Sequence, residues 1–255
     1  MRYWGILYFL FLCPAGYAQT GADSVALVLE RYYSLHGGRE HIDRLASNYY
    51  ASFRYEQYVG YQATAVRTAS PETGYREHIC TTQGYALSTL YDTSGEPINS
   101  LGITPRYLWQ VYEGELMRYD SGAFFMAFKE KGTSSCVGFP SIMLTTAPGN
   151  FVWQGEESHE GIPCFVIWKP ETHTVYWFRK ETGHLCRTLS KNSQRETRFY
   201  DYREVQGLWQ AWRREEYKAG ELERIHYYDS ISFPASIDPV LFEYPGPDSS
   251  RRLLR

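Results

Sequence analysis

From Ile162 to Phe233 the chain repeats one pattern: short runs rich in β-branched and aromatic residues, each closed by a turn signal. "IPCFVIWK" (162–169), "TVYWFRK" (174–180), "LCRTLS" (185–190), "TRFYDYREV" (197–205), "WQAWRREEY" (209–217) and "ERIHYYDSISF" (223–233) alternate with "KPETH", "KETGH", "QG" and "KAGE". Runs of this kind pair as antiparallel hairpins. "YYASFRYEQY" (49–58), "YREHIC" (75–80) and "YALSTLY" (85–91) have the same character, with "PETG" and "TSGEP" as their turns. A mainly β, antiparallel meander is therefore expected. Its strands are apolar on both faces in places: Val175 and Trp177 on one, Tyr176 and Phe178 on the other. With 17% aromatic residues, 23 of them Tyr, against 22% charged, such a sheet must be covered on both sides or curl around something.

The first structured segment has a different period. Between Ala22 and Leu35, Val25, Val28, Leu29, Tyr32 and Tyr33 form the stripe of an amphipathic helix, with Asp23 or Ser24 placed to cap it. Gly37 and Gly38 end that helix and open a short second one, "REHIDRLA", with Ile42 and Leu45 on one face. Segment 120–131, "DSGAFFMAFKEK", is compatible with a short helix or an apolar loop, and "GTSSCVGFP" after it reads as loop.

Residues 1–18, "MRYWGILYFLFLCPAGYA", have the composition of a secretory signal: a positive charge at Arg2, an apolar run and small residues at Gly16 and Ala18. Cleavage is expected after Ala18. An exported, periplasmic protein follows, with one domain over 19–245 and a disordered tail over 246–255. The net charge is −3, or −4 without Arg2, and the basic residues are scattered, so nucleic acid is not an expected partner. Export makes disulfides permissible for Cys80, Cys136, Cys164 and Cys186. In a meander, Cys164 and Cys186 stand two strands apart, about 9–10 Å, beyond the ~7 Å a disulfide tolerates. They are expected not to pair, which leaves Cys80 with Cys136 by elimination.

Catalytic signatures do not emerge. His36, Glu40 and His41 surround a helix-breaking Gly-Gly, and the histidines are five apart rather than at the i, i+4 spacing that shares a helix face. His159, His173 and His184 lie in or beside turns and read as solvated. "GTSSCVG" lacks the second glycine of a nucleophile elbow. Glu156 with Glu157, and Glu215 with Glu216, are strand neighbours that point to opposite faces. No catalytic residue, metal ligand or cofactor is expected.

Longer stretches carry a resemblance. The helix ending "YYSLHGG", the short helix "REHIDRL" and the strand after it resemble the start of the LolA-like family, exported proteins that include the outer-membrane lipoprotein-sorting proteins. "WQGEESHEGIPCFVIW", "YWFRKETGHLCR", "FYDYREVQGLW" and "SISFPASIDPVLFEYP" resemble the family's second half, while the middle is similar only through Pro71 and Arg76. Pro71 follows Ser70 where the carriers have Arg-Pro, and Ala211 replaces a proline near the "GL" strand. The resemblance implies an incomplete antiparallel β-barrel, a half-barrel whose concave face is closed by N-terminal helices and a lid, with acyl chains held between them. "LHGGREH" is then a helix–helix junction.

Alternation together with this resemblance nominates a hydrophobic cavity. Phe53 and Tyr55, Tyr85 and Leu87, and Phe165 and Ile167 are assigned to the concave side, with Trp177 beside them. Phe124, Phe125, Met126 and Phe128, bracketed by Gly122 and Gly132, are assigned to a movable lid. The implied function is a monomeric, non-catalytic carrier or binder of a lipid or lipoprotein acyl group. The alternatives are a sensor domain with an envelope protein partner on the same fold, and an enzyme with an unrecognised pocket.

Overall fold

The computed structural model describes residues 15–45, 47–59, 67–81, 83–112, 114–121 and 148–244. Helix α1 spans Ala15–Leu35 and α2 spans Arg39–Leu45. Strands follow as β1 (Asn48–Val59), β2 (Arg67–Thr81), β3 (Ala86–Tyr91), β4 (Pro97–Ile103), β5 (Leu108–Tyr112) and β6 (Glu115–Tyr119). After a 3-10 turn come β7 (Val152–His159), β8 (Ile162–Lys169), β9 (Thr174–Arg179), β10 (Leu185–Ser190), β11 (Arg195–Val205), β12 (Leu208–Lys218) and β13 (Glu221–Ser232). A second 3-10 turn, Pro239–Phe242, is capped by the Asp238 carboxylate, which accepts from the Val240 N–H.

All these strands join one antiparallel sheet in the order β6-β5-β4-β3-β2-β1-β13-β12-β11-β10-β9-β8-β7. The chain enters at the centre, works outward to β6, reappears at the opposite edge as β7 and returns to pair β13 with β1. Among the described residues the two edges do not pair, so the sheet is an open, curved half-barrel with N-terminal helices.

Helix α1 starts at Ala15, upstream of Ala22, so Asp23 and Ser24 lie inside the helix and do not cap it. Alanines at 15, 18 and 22 favour that extension. Its stripe is buried as expected: Val25, Val28, Leu29 and Tyr32, joined by Ile42 of α2, pack on Tyr49, Ala51 and Phe53 of β1 and on Ile167, Tyr176 and Phe178 of β8 and β9. Gly37 and Gly38 both have positive φ, 75° and 95°, and make the expected junction. No helix among the described residues is long and apolar enough to cross a membrane.

Four strands went unforeseen. β4, β5 and β6 are short and mix polar with apolar residues, so no run of their own announces them. β7, with Glu156 and Glu157, is an edge strand, where acidic residues guard the unpaired side.

The spacing between Cys164 and Cys186 also needs correction. Their strands are separated by β9 as expected, and both thiols are free, but their sulfurs stand only 3.4 Å apart. The β9–β10 register slips between Leu185 and Arg187, so Cys186 sits at an irregularity. There it donates across β9 to the Trp177 carbonyl at 3.3 Å. Cys80 is buried, and Cys136 lies outside the described residues.

Candidate functional site

The helix-side face of β1, β2, β13 and β12 can be read from register. Tyr49, Ala51 and Phe53 of β1 point into the core. Across β2 they face Cys80, His78 and Arg76, and across β13 Phe53 and Tyr55 face Tyr228 and His226. Arg214 and Glu216 of β12 pair with His226 and Arg224 of β13, which puts all four on this face. The face therefore begins apolar beneath the helices and becomes cationic away from them. Phe53 marks the border, its ring 5.2 Å from Tyr228 and 5.0 Å from His226. Leu101, Tyr119, Phe199, Trp212 and Tyr228 pack against the core but stay partly open.

At the cationic end one carboxylate serves two arginines. Glu216 lies 3.0 Å from Arg214, 4.0 Å from Arg224 and 3.5 Å from the His226 Nε2. Burial pushes the Glu216 carboxyl up, and Arg214, His226 and Arg224 more than reverse this, holding it well below the usual range. Arg224 donates to Gln57 Oε1 at 2.7 Å. Arg76 has no ion pair among the described residues, and the Nε atoms of Arg76, Arg214 and Arg224 are buried without a hydrogen-bond acceptor. Two histidines register the resulting field. Burial, then Arg76 and Arg214, push His78 down to about 4. Burial, then Arg214, push His226 to about 4 against the opposing pull of Glu216.

The nominated cavity residues divide among three places. Phe53, Phe165 and Ile167 belong to the helix-side core, and Ile167 is wholly buried there, forming its floor. Tyr55 shares the face of Phe53, and its hydroxyl lies so close over Gly74 that a Cβ there would come within 2.6 Å of it. Leu87 does not belong to this side. It packs with Tyr107, Trp109 and Val111 on the other face, and Tyr85 stacks near Phe242 at 5.3 Å. Trp177 is likewise displaced, packing with Cys164, Val166, Val175 and Cys186. Both misplacements follow from register: Leu87 lies opposite Ile79 and Gly102, one residue out of phase with Ala86, and Trp177 lies opposite Val166 rather than Ile167. Phe124, Phe125, Met126 and Phe128 lie outside the described residues.

The N-terminal histidines each serve a backbone group. The His36 Nδ1 accepts the Trp209 N–H at 3.1 Å. The His41 Nδ1 is 2.8 Å from Arg44 Nη2, which can only donate, so its Nε2–H donates to the Gln206 carbonyl at 3.1 Å. They tie the helix junction to the β11–β12 turn and do not converge on a common point. Two of the turn histidines are not solvated. His159 and His184 are each 9% exposed. The His184 ring stacks on Tyr202 at 4.3 Å, in a turn that folds back beneath α1, where Gly183 lies against the Arg31 carbonyl. Glu215 bonds Tyr217 and Arg213 while Glu216 bonds Arg214, the opposite-face arrangement that alternation requires.

A cleft of about 890 Å³ is lined mainly by the residues that alternate with Phe53 and Tyr55, among them Arg54, Tyr75, Glu77, Tyr91 and Tyr227. Of its carboxylates, Glu77 accepts from Tyr50 and Tyr91, at 3.1 and 2.6 Å, and Asp92 from the Ser94 hydroxyl and the Glu96 N–H.

No family model and no curated protein matches the sequence. Solved structures do. A DUF1329 family protein from Desulfovibrio piger superposes with a TM-score of 0.54 at 15% identity, covering 84% of this chain and 96% of that one. A domain described as an outer membrane lipoprotein-sorting protein, from Vibrio parahaemolyticus, gives 0.52 at 11% identity over 93% and 100%. A LolA superfamily protein from Nitrosomonas europaea gives 0.49 at 10% over 88% and 97%. At these identities the likeness to the first two is one of fold. The chain is built on the LolA-like half-barrel.

Proposed function

We propose that this protein is an exported, periplasmic, non-catalytic carrier that takes the acyl chain of an amphiphile into the helix-side face of its half-barrel. One observation carries the reading. Beside a filled core, that face leaves Tyr228, Phe199, Trp212, Leu101 and Tyr119 partly open on several strands, an apolar surface the helices do not finish covering. Phe53, Tyr55 and Phe165 adjoin it and complete the lining. Each CH₂ buried contributes about 0.8 kcal/mol, so a twelve-carbon segment supplies on the order of 9 kcal/mol before ordering costs, enough for reversible binding. The Vibrio domain, whose description names lipoprotein sorting, has the same fold.

Protein purified from its native compartment is expected to carry an acyl lipid, detected by mass spectrometry of a solvent extract, and to begin at Gln19. In vitro it should bind a fluorescent fatty-acyl probe, and Trp212→Ala should weaken that binding about tenfold with a small change in melting temperature. Absence of both co-purified lipid and probe binding would sink the carrier reading.

A further inference from the structure

The carrier reading explains the aromatic half of the face and leaves three arginines without a role. Arg76 of β2, Arg224 of β13 and Arg214 of β12 share one face of the sheet, with β1 between β2 and β13, set there by the pairings Phe53 with Arg76, Tyr55 with His226, and His226 with Arg214. Two of the three guanidiniums meet one carboxylate. Glu216 is shared between Arg214 and Arg224, while Arg76 has no ion pair among the described residues. Their Nε atoms are buried and unpartnered. Their Nε donors are out of contact with water, although the Arg214 and Arg224 side chains remain 31% and 24% exposed, and a buried donor with no acceptor is costly. A fold that keeps unmatched guanidinium donors beside an apolar lining is complementary to a ligand with an anionic end and an apolar end.

We propose that Arg76, Arg214 and Arg224 form a headgroup site for the phosphate of an anionic lipid whose acyl chain lies along the Phe53–Tyr228 side of the same face. Phosphate suits the donors: its oxygens accept paired N–H groups from planar guanidinium forks, and two charges are what three arginines less one glutamate leave unmatched. The arginines that add to burial in keeping His78 and His226 neutral have the sign such a headgroup needs. Glu216 then positions Arg214 and Arg224 and offsets their mutual repulsion. This site rests on the carrier reading and adds to it a selectivity that an apolar cavity alone would not have.

Short-chain phosphatidic acid and short-chain phosphatidylcholine with the same acyl chains, each titrated calorimetrically into the purified protein, separate the two ideas. Wild type is expected to bind phosphatidic acid at least tenfold tighter. Arg76→Gln should remove about tenfold of that preference, weakening phosphatidylcholine, whose phosphodiester carries one charge, less than phosphatidic acid, and its melting temperature should hold or rise because an unpaired charge has gone. Arg214→Gln should lose the preference too, though its ion pair with Glu216 gives it a structural share. Equal affinity of wild type for the two lipids overturns the headgroup site and leaves the carrier standing. Failure to bind either lipid overturns both. Inorganic phosphate that binds as tightly as phosphatidic acid overturns the lipid as the source of the anion.

Discussion

Acidification from pH 7 to pH 5 is expected to lower the melting temperature by more than about 10 °C, far more than surface titration would produce. Burial holds several histidines in their neutral form, and three of these, at most 9% exposed, are pushed to about 4 or lower. His36, 1% exposed, is pushed down to about 3, by burial first and then by His184 and His41. His226, 4% exposed, and His184, 9% exposed, are each pushed to about 4, burial again leading and arginines adding to it. Between the ordinary value of about 6.5 and these folded values, the unfolded chain takes up protons that the fold refuses. Stability therefore falls as pH falls, beginning near 6.5 and continuing to about 4. At pH 5 each group costs about 2 kcal/mol, so the three together remove about 6 kcal/mol from a total that for a domain is roughly 5–15 kcal/mol. Glu216 acts with the same sign. Its carboxyl is depressed in the fold, so its contribution is present above about 4.5 and is lost as pH falls further. His36→Asn offers an acceptor to the Trp209 N–H and does not titrate. That variant should lose about one proton's worth of the pH slope below pH 6. A melting temperature that stays flat between pH 7 and 5 would show that these rings are not buried neutral.

Much of the sheet was legible because it is local. From Ile162 to Phe233 each strand is followed directly by its partner, so apolar runs and turn residues report the hairpins one at a time. The α1 stripe and the Gly37–Gly38 junction were readable for the same reason. What failed depended on register between segments far apart or out of phase. Leu87 and Trp177 were sorted correctly with their own strand's alternation and then assigned to the wrong side of the sheet, since alternation gives two faces and says nothing of which one meets the helices. The arginine site was hidden twice over. "RIHYY" and "WRREEY" mix charged with aromatic residues, and only the pairings of β1 with β2 and β13, and of β13 with β12, bring Arg76 and Arg214 to the same side as Phe53. His184 was misread because its partner, Tyr202, comes from another hairpin.

Gly102→Ala is expected to destabilise the protein by about 1–3 kcal/mol, although the glycine sits within a strand, where alanine is ordinarily the better residue. Gly102 of β4 pairs directly with Trp109 of β5, and the indole lies flat over it, so that a Cβ there would fall within the ring itself. Trp109 cannot simply move away. It is 1% exposed, packed with Tyr107 and Val111, and its Nε1–H donates to the Phe242 carbonyl at 2.9 Å. That bond, with the Tyr107 hydroxyl donating to Glu243 at 2.7 Å and accepting the Tyr244 N–H at 3.1 Å, holds the C-terminal 3-10 turn against this face. Displacing the ring should therefore also loosen residues 238–244, and limited proteolysis after Leu241 or Phe242 should become faster. Trp109→Ala alone should cost about 3–5 kcal/mol through the cavity it leaves. In that background the added methyl group meets no indole, so Gly102→Ala should cost almost nothing further. The double-mutant cycle should then return a coupling of at least about 1 kcal/mol, the size expected for side chains in direct contact. Strictly additive costs would mean that the Trp109 ring does not rest on Gly102, and the C-terminal turn would have to be held by the Tyr107 bonds alone.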